Sequence, residues 1–268
     1  MKKDVLLGTA IGDIAGSRFE INNCKTGKDF ILLHDKYCRF TDDTVMTFAV
    51  AKALMSYKND LSDLKDVVVN SMVEVGRKYI NCGFGPSFRL WIQKEEHQPY
   101  GSYGNGAAMR ISPVAVSINN IDKIKKVSAC ITNISHNHDD SIKGAEAVCI
   151  AIHMALNGNT KEEIIKYIEE NYFKIHEVNK DLKSLKEIHI NCVETVKQSM
   201  IAFEESIDFE DTIRCAIALG GDSDTIGAIA GGIAAAYYGV PEDLCEHAKK
   251  FLDDYLIEIH DNFYKYFD

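Results

Sequence analysis

Glycine recurs at four-residue spacing in two separate apolar segments: Gly8, Gly12 and Gly16 near the start of the chain, and Gly227 and Gly231 far downstream. Both segments otherwise read as helices, where a glycine costs roughly 1 kcal/mol relative to alanine. Residues four apart share one helical face, so each segment carries a stripe without side chains. Something must offset the cost. Close backbone approach of neighbouring helices is the simplest account, since small residues let helix axes come nearer than the usual separation of about 8–10 Å. Both helices are therefore expected at the centre of the fold.

The rest of the chain has the same character. Strand-like alternation is scarce and helical spacing is common. The four prolines (Pro86, Pro99, Pro113, Pro241) interrupt no long periodic segment. Helices are expected over 3–16, 44–57, 61–80, 85–94, 106–118, 121–132, 139–156, 160–170, 181–206, 209–219, 224–238 and 241–267. Asn159-Thr160-Lys161-Glu162-Glu163 reads as a capped start with acidic residues in the first turn. Segment 181–206 keeps Leu182, Leu185, Ile188, Cys192, Val196 and Met200 near one face. Apolar residues make up 46%, enough for a substantial core. No linker composition or repeat appears, so the expectation is an all-α, single compact multi-helix domain spanning 1–268. The longest irregular stretch, 17–43, is of a length often kept for function.

The formal charge is −10, which argues against an extended nucleic-acid surface as partner. It leaves room for a small anionic ligand in a local pocket. Eight cysteines (Cys24, Cys38, Cys82, Cys130, Cys149, Cys192, Cys215, Cys245) form no C-x-x-C pair and mostly sit among apolar residues, as buried reduced thiols do. The apolar start is broken by Gly12-Asp13, and the longest apolar run, Ile226 to Tyr238, is too short to span a bilayer. A cytoplasmic protein without a membrane partner is expected.

Two acidic clusters, Thr41-Asp42-Asp43-Thr44 and Asp222-Ser223-Asp224-Thr225, each precede a long apolar helix. Ordinary N-capping needs one such side chain, not four in a row. Closely placed carboxylates are costly without a cation, and an all-oxygen set suits Mg²⁺, Ca²⁺ or Mn²⁺ rather than Zn²⁺. If the fold brings the clusters together, they form a cage for one or two divalent ions.

Tyr100-Gly101-Ser102-Tyr103-Gly104-Asn105-Gly106-Ala107-Ala108-Met109-Arg110 is glycine-rich and precedes an apolar segment. Such a loop can cradle a diphosphate at a helix N-terminus, although taken alone it is better explained as a plain turn. In Ser135-His136-Asn137-His138-Asp139-Asp140-Ser141 the two histidines could ligate a transition metal, or the loop could cap helix 139–156 with His136 facing a ligand. The oxygen-only company of the other candidates favours the second. Asp13 sits in or near the first helix and could bond neighbouring helix ends. Glu20 is expected just beyond that helix, where it opens the long loop.

Together these blocks resemble the ADP-ribosylglycohydrolase family, which includes the dinitrogenase reductase-activating glycohydrolases. The matching stretches are Gly12-Asp13-Ile14-Ala15-Gly16 through Glu20, Phe40-Thr41-Asp42-Asp43-Thr44, Gly104-Asn105-Gly106-Ala107-Ala108-Met109-Arg110, Ser135-His136 and Gly220-Gly221-Asp222-Ser223-Asp224-Thr225-Ile226-Gly227, in family order over roughly 5–240. The resemblance implies an all-α fold, a binuclear Mg²⁺ centre with Mn²⁺ as a possible substitute, and release of ADP-ribose from a modified acceptor, first of all an arginine or another protein side chain. It implies Thr41, Asp42, Asp43, Asp222, Asp224 and Thr225 as metal ligands. Gly104, Asn105, Gly106 and Met109 would line the ADP-ribose site, with His136 beside it. Glu20, Asp43 and Asp224 would be the groups that steer protons. Ser223 stands where many members have Thr, and no ligand position is lost.

Two rivals remain at this point: a Mg²⁺-dependent phosphohydrolase of nucleotides, and a non-catalytic ADP-ribose-binding or structural relative; for a hydrolase, a serine, a nucleic-acid base or a small-molecule conjugate also stays open as the acceptor. Acceptor choice is expected to reside in loop 21–39 and in the region 82–103, where Phe84, Phe88, Trp91 and Tyr100 or Tyr103 could flank an adenine or the acceptor. Core packing is the competing role for Phe88 and Trp91.

Overall fold

The computed structural model describes residues 3–20, 26–58, 61–177 and 190–267. Within them the helical periodicities become α1 (Val5–Glu20), α2 (Asp42–Ser56), α3 (Leu61–Lys78), α4 (Pro86–Gln93), α5 (Gly106–Met109), α6 (Ser112–Ser117), α7 (Ile121–Asn133), α8 (Asp139–Leu156), α9 (Lys161–Asn171), α10 (Cys192–Glu205), α11 (Phe209–Leu219), α12 (Ser223–Tyr238), α13 (Glu242–Lys249) and α14 (Asp254–Phe267). No strand occurs among the described residues; Gly104 and Asn191 share one isolated antiparallel bridge. Nor is any described helix long and apolar enough to cross a membrane.

The two glycine stripes meet each other. A Cβ on Gly12 would lie 1.9 Å from the Gly227 carbonyl oxygen, one on Gly8 2.6 Å from that of Gly231, and one on Gly16 2.3 Å from that of Ser223. The pairing runs in opposite directions along the two helices, so α1 and α12 are antiparallel with backbones in contact. Every residue of α1 from Val5 to Ser17 and of α12 from Ser223 to Ala236 is buried. This offsets the glycine cost: Val5, Leu6, Ile11 and Ile14 are 0% exposed, and each contributes about 1.5–3 kcal/mol against roughly 1 kcal/mol per helical glycine. Around this pair, α2 packs on α1, α3 and α14, while α8, α10 and α11 pack on α12.

Several boundaries depart from the periodicity, each for a local reason. α1 runs a turn beyond residue 16, so Glu20 ends the helix instead of following it. Segment 106–118 divides into α5 and α6 around Arg110 and Ile111, and Pro113, which has no N–H to donate, sits in the first turn of α6. Segment 241–267 divides where the Asp253 carboxylate accepts from the Leu256 N–H at 3.1 Å and starts α14. In 181–206 the described helix begins at Cys192, capped by Asn191 Oδ1, which accepts from the Glu194 N–H at 3.2 Å. The Leu182, Leu185 and Ile188 part of that stripe lies outside the described residues. The start at Thr160 is a full capping box: its hydroxyl accepts from the Glu163 N–H at 3.3 Å, and Glu163 Oε2 from the Thr160 N–H at 2.9 Å.

The C-terminal helix does more than fill space. His260 Nε2 lies 2.9 Å from Asp4 Oδ2, both groups buried, and the Tyr264 hydroxyl accepts from the Leu6 N–H at 3.2 Å. α14 thereby ties down the N-terminal end of the central helix α1.

Candidate active site

The antiparallel pairing places the first turn of α12 against the last turns of α1. From the middle of α1, Asp13 reaches the start of α2. Its carboxylate, 0% exposed, accepts from the Thr41 N–H at 2.9 Å, the Thr41 hydroxyl at 2.6 Å, the Thr44 N–H at 3.0 Å and the Thr44 hydroxyl. Two orphan N–H groups of a helix N-terminus are thus satisfied from another helix. Ordinary capping does not explain the clusters, because neither Thr41 nor Asp222, the N-cap residues of α2 and α12, makes a side-chain cap bond. Their oxygens are turned elsewhere.

They turn toward one another. Thr41 Oγ1 lies 3.3 Å from Asp43 Oδ2 and 3.5 Å from Asp224 Oδ2, and Thr225 Oγ1 lies 3.4 Å from Asp43 Oδ2. Asp13, Asp43 and Asp224 each bring a carboxylate oxygen within 4.8 Å of the others, and so do Glu20, Asp222 and Asp224. Clusters about 180 positions apart in sequence therefore form one acidic centre. It lies at the N-termini of α2 and α12, where helix dipoles favour negative charge.

The charge density there is large. Burial first, then the Asp13, Asp222 and Glu20 carboxylates, push Asp42 up to about 7. Burial, Asp13 and Asp42 raise Asp43 well above the ordinary carboxylate range, and burial, Asp222 and Asp43 do the same to Asp224. Asp43 Oδ1 is buried with no hydrogen-bond partner, an expensive arrangement. A cation relieves both penalties, and neither histidine nor cysteine joins the two ligand groups. The donor set fits a hard divalent ion.

The centre forms one wall of a cavity of about 450 Å³, within the usual range for a ligand site. Glu20, Asp42, Asp43, Asp222, Asp224 and Thr225 line it together with Gly104, Asn105, Gly106, Met109 and His136. Thr41 alone among the expected site residues does not line the cavity; it is buried behind the carboxylates. Glu20 stands at the exposed mouth, where partial desolvation and then the Asp222 charge raise its pKa.

The glycine-rich loop is held differently from the expected loop before a long helix, because α5 is a single turn. The Asn105 N–H donates to the Ile190 carbonyl at 3.0 Å and the Cys192 N–H to that of Tyr103 at 2.9 Å, so the loop is anchored at the start of α10. Asn105 Nδ2 donates to Asp222 Oδ2 at 2.6 Å and to Thr195 Oγ1 at 3.2 Å. One amide thus links the loop to the acidic centre. Gly106 lies tight against His136: a Cβ there would sit 3.0 Å from His136 Nε2.

The two histidines separate. His138 Nδ1 accepts from the Asp140 N–H at 3.1 Å and caps α8, whereas His136 lines the cavity. Of the region 82–103, Gly83, Gly85, Pro86, Ser87, Phe88, Tyr100 and Ser102 reach the cavity. Trp91 is core and stacks on Phe88 at 5.3 Å between ring centroids, so Phe88 serves packing and cleft together. Phe84 is buried against Phe88, and Tyr103 lies beside His138. No described residue of loop 21–39 lines the cavity; Arg18 Nη2 donates to the Ile31 carbonyl at 2.6 Å and Arg214 Nη1 to that of Phe30 at 2.7 Å, which hold it against α1 and α11. Residues 21–25 lie outside the described residues. Ile190, Thr195 and the packing around Arg110 were not anticipated, although a lone arginine inside an apolar run was a visible sign of a buried charge.

The family model for ADP-ribosylglycohydrolase matches residues 3–268. The chain is 26% identical over 268 residues to the ADP-ribosylarginine hydrolase Tri1 of Pseudomonas putida (strain GB-1), covering 89% of this chain and 70% of that protein. It is 24% identical over 260 residues to the ADP-ribosylhydrolase ARH3 of Gallus gallus, covering 75% and 70% respectively. To the ADP-ribosyl-[dinitrogen reductase] glycohydrolase of Rhodospirillum rubrum it is 26% identical over 264 residues, covering 88% and 85%. A solved structure described as an ADP-ribosylglycohydrolase-related protein complex superposes with a TM-score of 0.71 at 20% identity, covering 99% of this chain and 97% of that one, which is a likeness of fold. With a match that runs almost end to end, the chain belongs to the ADP-ribosylglycohydrolase family, whose members are enzymes that hydrolyse glycosidic bonds to ADP-ribose.

Proposed function

We propose that this protein removes ADP-ribose from a modified protein side chain, arginine first among the acceptors, with two Mg²⁺ ions (or Mn²⁺) held by Thr41, Asp42, Asp43, Asp222, Asp224 and Thr225. The observation that carries this reading is the meeting of both acidic clusters in one cavity that the Gly104–Gly106 loop and His136 also line. Residues 1–268 act as one such domain. A cytoplasmic setting is supported by the seven described cysteines, all free thiols.

Gly104, Asn105, Gly106, Met109 and His136 hold the ADP-ribose. Asn105 keeps Asp222 aimed at the cleft through its 2.6 Å hydrogen bond. When bound, the cations supply the positive charge that orients the distal ribose hydroxyls and acidifies water. The bond from the anomeric carbon to the acceptor nitrogen breaks with oxocarbenium character; a water oxygen takes its place, and the leaving nitrogen gains a proton. Asp43 and Asp224, buried at the reacting end, and Glu20, at the mouth with a raised pKa, are the groups placed to move these protons. The exposed Glu20, which lines the cavity outside the ligand set, is a carboxylate able to meet a cationic guanidinium acceptor.

The test is a substrate panel of ADP-ribosylated arginine, serine and nucleic acid, assayed with Mg²⁺ for product identity. Free ADP-ribose with a restored arginine side chain is expected. Release from nucleic acid alone would move the acceptor, and AMP or inorganic phosphate as product would replace glycosidic cleavage with phosphohydrolysis.

A further inference from the structure

Arg110 is 0% exposed, and no ion pair to its guanidinium occurs among the described residues. A buried cation without a carboxylate is costly and calls for a reason. Its Nη2 donates to Ser135 Oγ at 2.8 Å, while Nε and Nη1 have no hydrogen-bond partner. The guanidinium carbon lies 5.4 Å from the Phe88 ring centroid, and that cation–π contact offsets part of the cost. Ser135 is itself buried, and its Oγ lies 2.8 Å from His136 Nδ1.

The hydrogens in this chain can be counted. Arginine only donates, so Arg110 occupies a lone pair of the Ser135 oxygen, whose single hydrogen stays free to donate. Burial, and then the Arg110 charge, hold the His136 imidazole well below its ordinary pKa, so it is neutral and has one donor and one acceptor nitrogen. With Nδ1 as acceptor, the serine hydrogen is satisfied and the ring proton resides on Nε2. With Nδ1 as donor, the serine hydrogen has no acceptor in this chain of contacts, and a bare Nε2 lone pair faces the cleft. The first arrangement is favoured, and Nε2 is the nitrogen beside Gly106.

We propose that Arg110 and Ser135 are positioning residues: the chain from Arg110 Nη2–H through Ser135 Oγ–H to His136 Nδ1 fixes His136 as the Nε2–H tautomer and aims a hydrogen-bond donor into the cleft beside the Gly104–Gly106 loop. Resting on the reading of the cleft as an ADP-ribose site, the group it meets is an acceptor oxygen of that ligand, a phosphate oxygen being the strongest available.

Long-range ¹H–¹⁵N correlation of the ¹⁵N-labelled full chain at neutral pH reads the tautomer directly. His136 is picked out of the nine histidines by comparison with His136→Gln. The ligand-free wild type is expected to show a protonated-type Nε2 and a pyridine-type Nδ1. Ser135→Ala is expected to lose that bias and to bind ADP-ribose about tenfold more weakly by calorimetry, the worth of one good hydrogen bond. Ser135→Thr, which keeps the hydroxyl, is expected to retain both. A protonated Nδ1 in the wild type overturns the proposal whether or not any variant folds, as does an unchanged ring pattern in Ser135→Ala. The expected tautomer in a protein that binds no ADP-ribose would uphold the positioning chain and overturn the reading of the cleft.

Discussion

Asp43 concentrates the electrostatic problem of the site in one side chain. Its Oδ1 is buried and unpaired, its Oδ2 touches Thr41 and Thr225, and Asp13 and Asp42 add like charge nearby. Such a group is poor for stability and valuable for holding a cation. We predict that Asp43→Ala and Asp224→Ala abolish release of ADP-ribose while far-ultraviolet circular dichroism stays that of the wild type. The metal-free variants should melt at or above the metal-free wild type, because one like charge has gone. Near-normal turnover in purified Asp224→Ala would count against the assigned role. At this scale the acidic clusters were legible in the sequence because each packs four oxygen-bearing side chains where a cap needs one. The amide of Asn105 on Asp222 was not, since nothing in a Gly-Asn-Gly loop names a partner 117 positions away.

Among the helices, the contact between α1 and α12 carries the architecture. A methyl group on Gly12 would meet backbone, which cannot give way as the end of a side chain can. Gly12→Ala should therefore lose about 3 kcal/mol by urea unfolding. Gly27→Ala, where a Cβ meets nothing within 4 Å, should stay within about 0.5 kcal/mol of wild type. The seal of α14 on α1 makes a second test. Burial lowers the His260 pKa, but the hydrogen bonds and charge of Asp4, with Asp261, outweigh it and leave it raised. A raised imidazole pKa adds stability that is fully present below the unfolded value of about 6.5 and is lost as pH climbs through the higher folded value. Wild-type stability should fall across that interval, and His260→Gln should flatten the decline; equal slopes would refute the coupling. Helix positions were largely legible from periodicity. The breaks at Arg110–Ile111 and near Asp253 were not, because the apolar pattern runs through both and the turns are set by Pro113 and by the Asp253 carboxylate.

For the molecule as a whole, one topological fact produces the site. Antiparallel packing of the first and twelfth helices puts residues 222–225 beside Gly16 and Glu20, and Asp13 draws residues 41–44 to the same place. The glycine stripes announced a central close contact, and the all-α class followed from scarce alternation. The sequence carried no statement of which glycine faces which, and so the convergence of the clusters was an expectation until the helices were seen in register. Binding of a cation to the folded state alone raises stability by mass action, about 2.7 kcal/mol at a hundredfold excess over Kd. Exhaustive chelation should thus silence the enzyme and lower its melting temperature together, with Mg²⁺ or Mn²⁺ restoring both.

The most direct measurement is an anomalous difference map from crystals of the protein grown with Mn²⁺. Strong peaks are expected in the cleft at coordination distance from carboxylates of both segments, Asp42 or Asp43 from one and Asp222 or Asp224 from the other. Fully occupied crystals with no peak there, or with manganese bound by only one of the two segments, would contradict a shared metal centre.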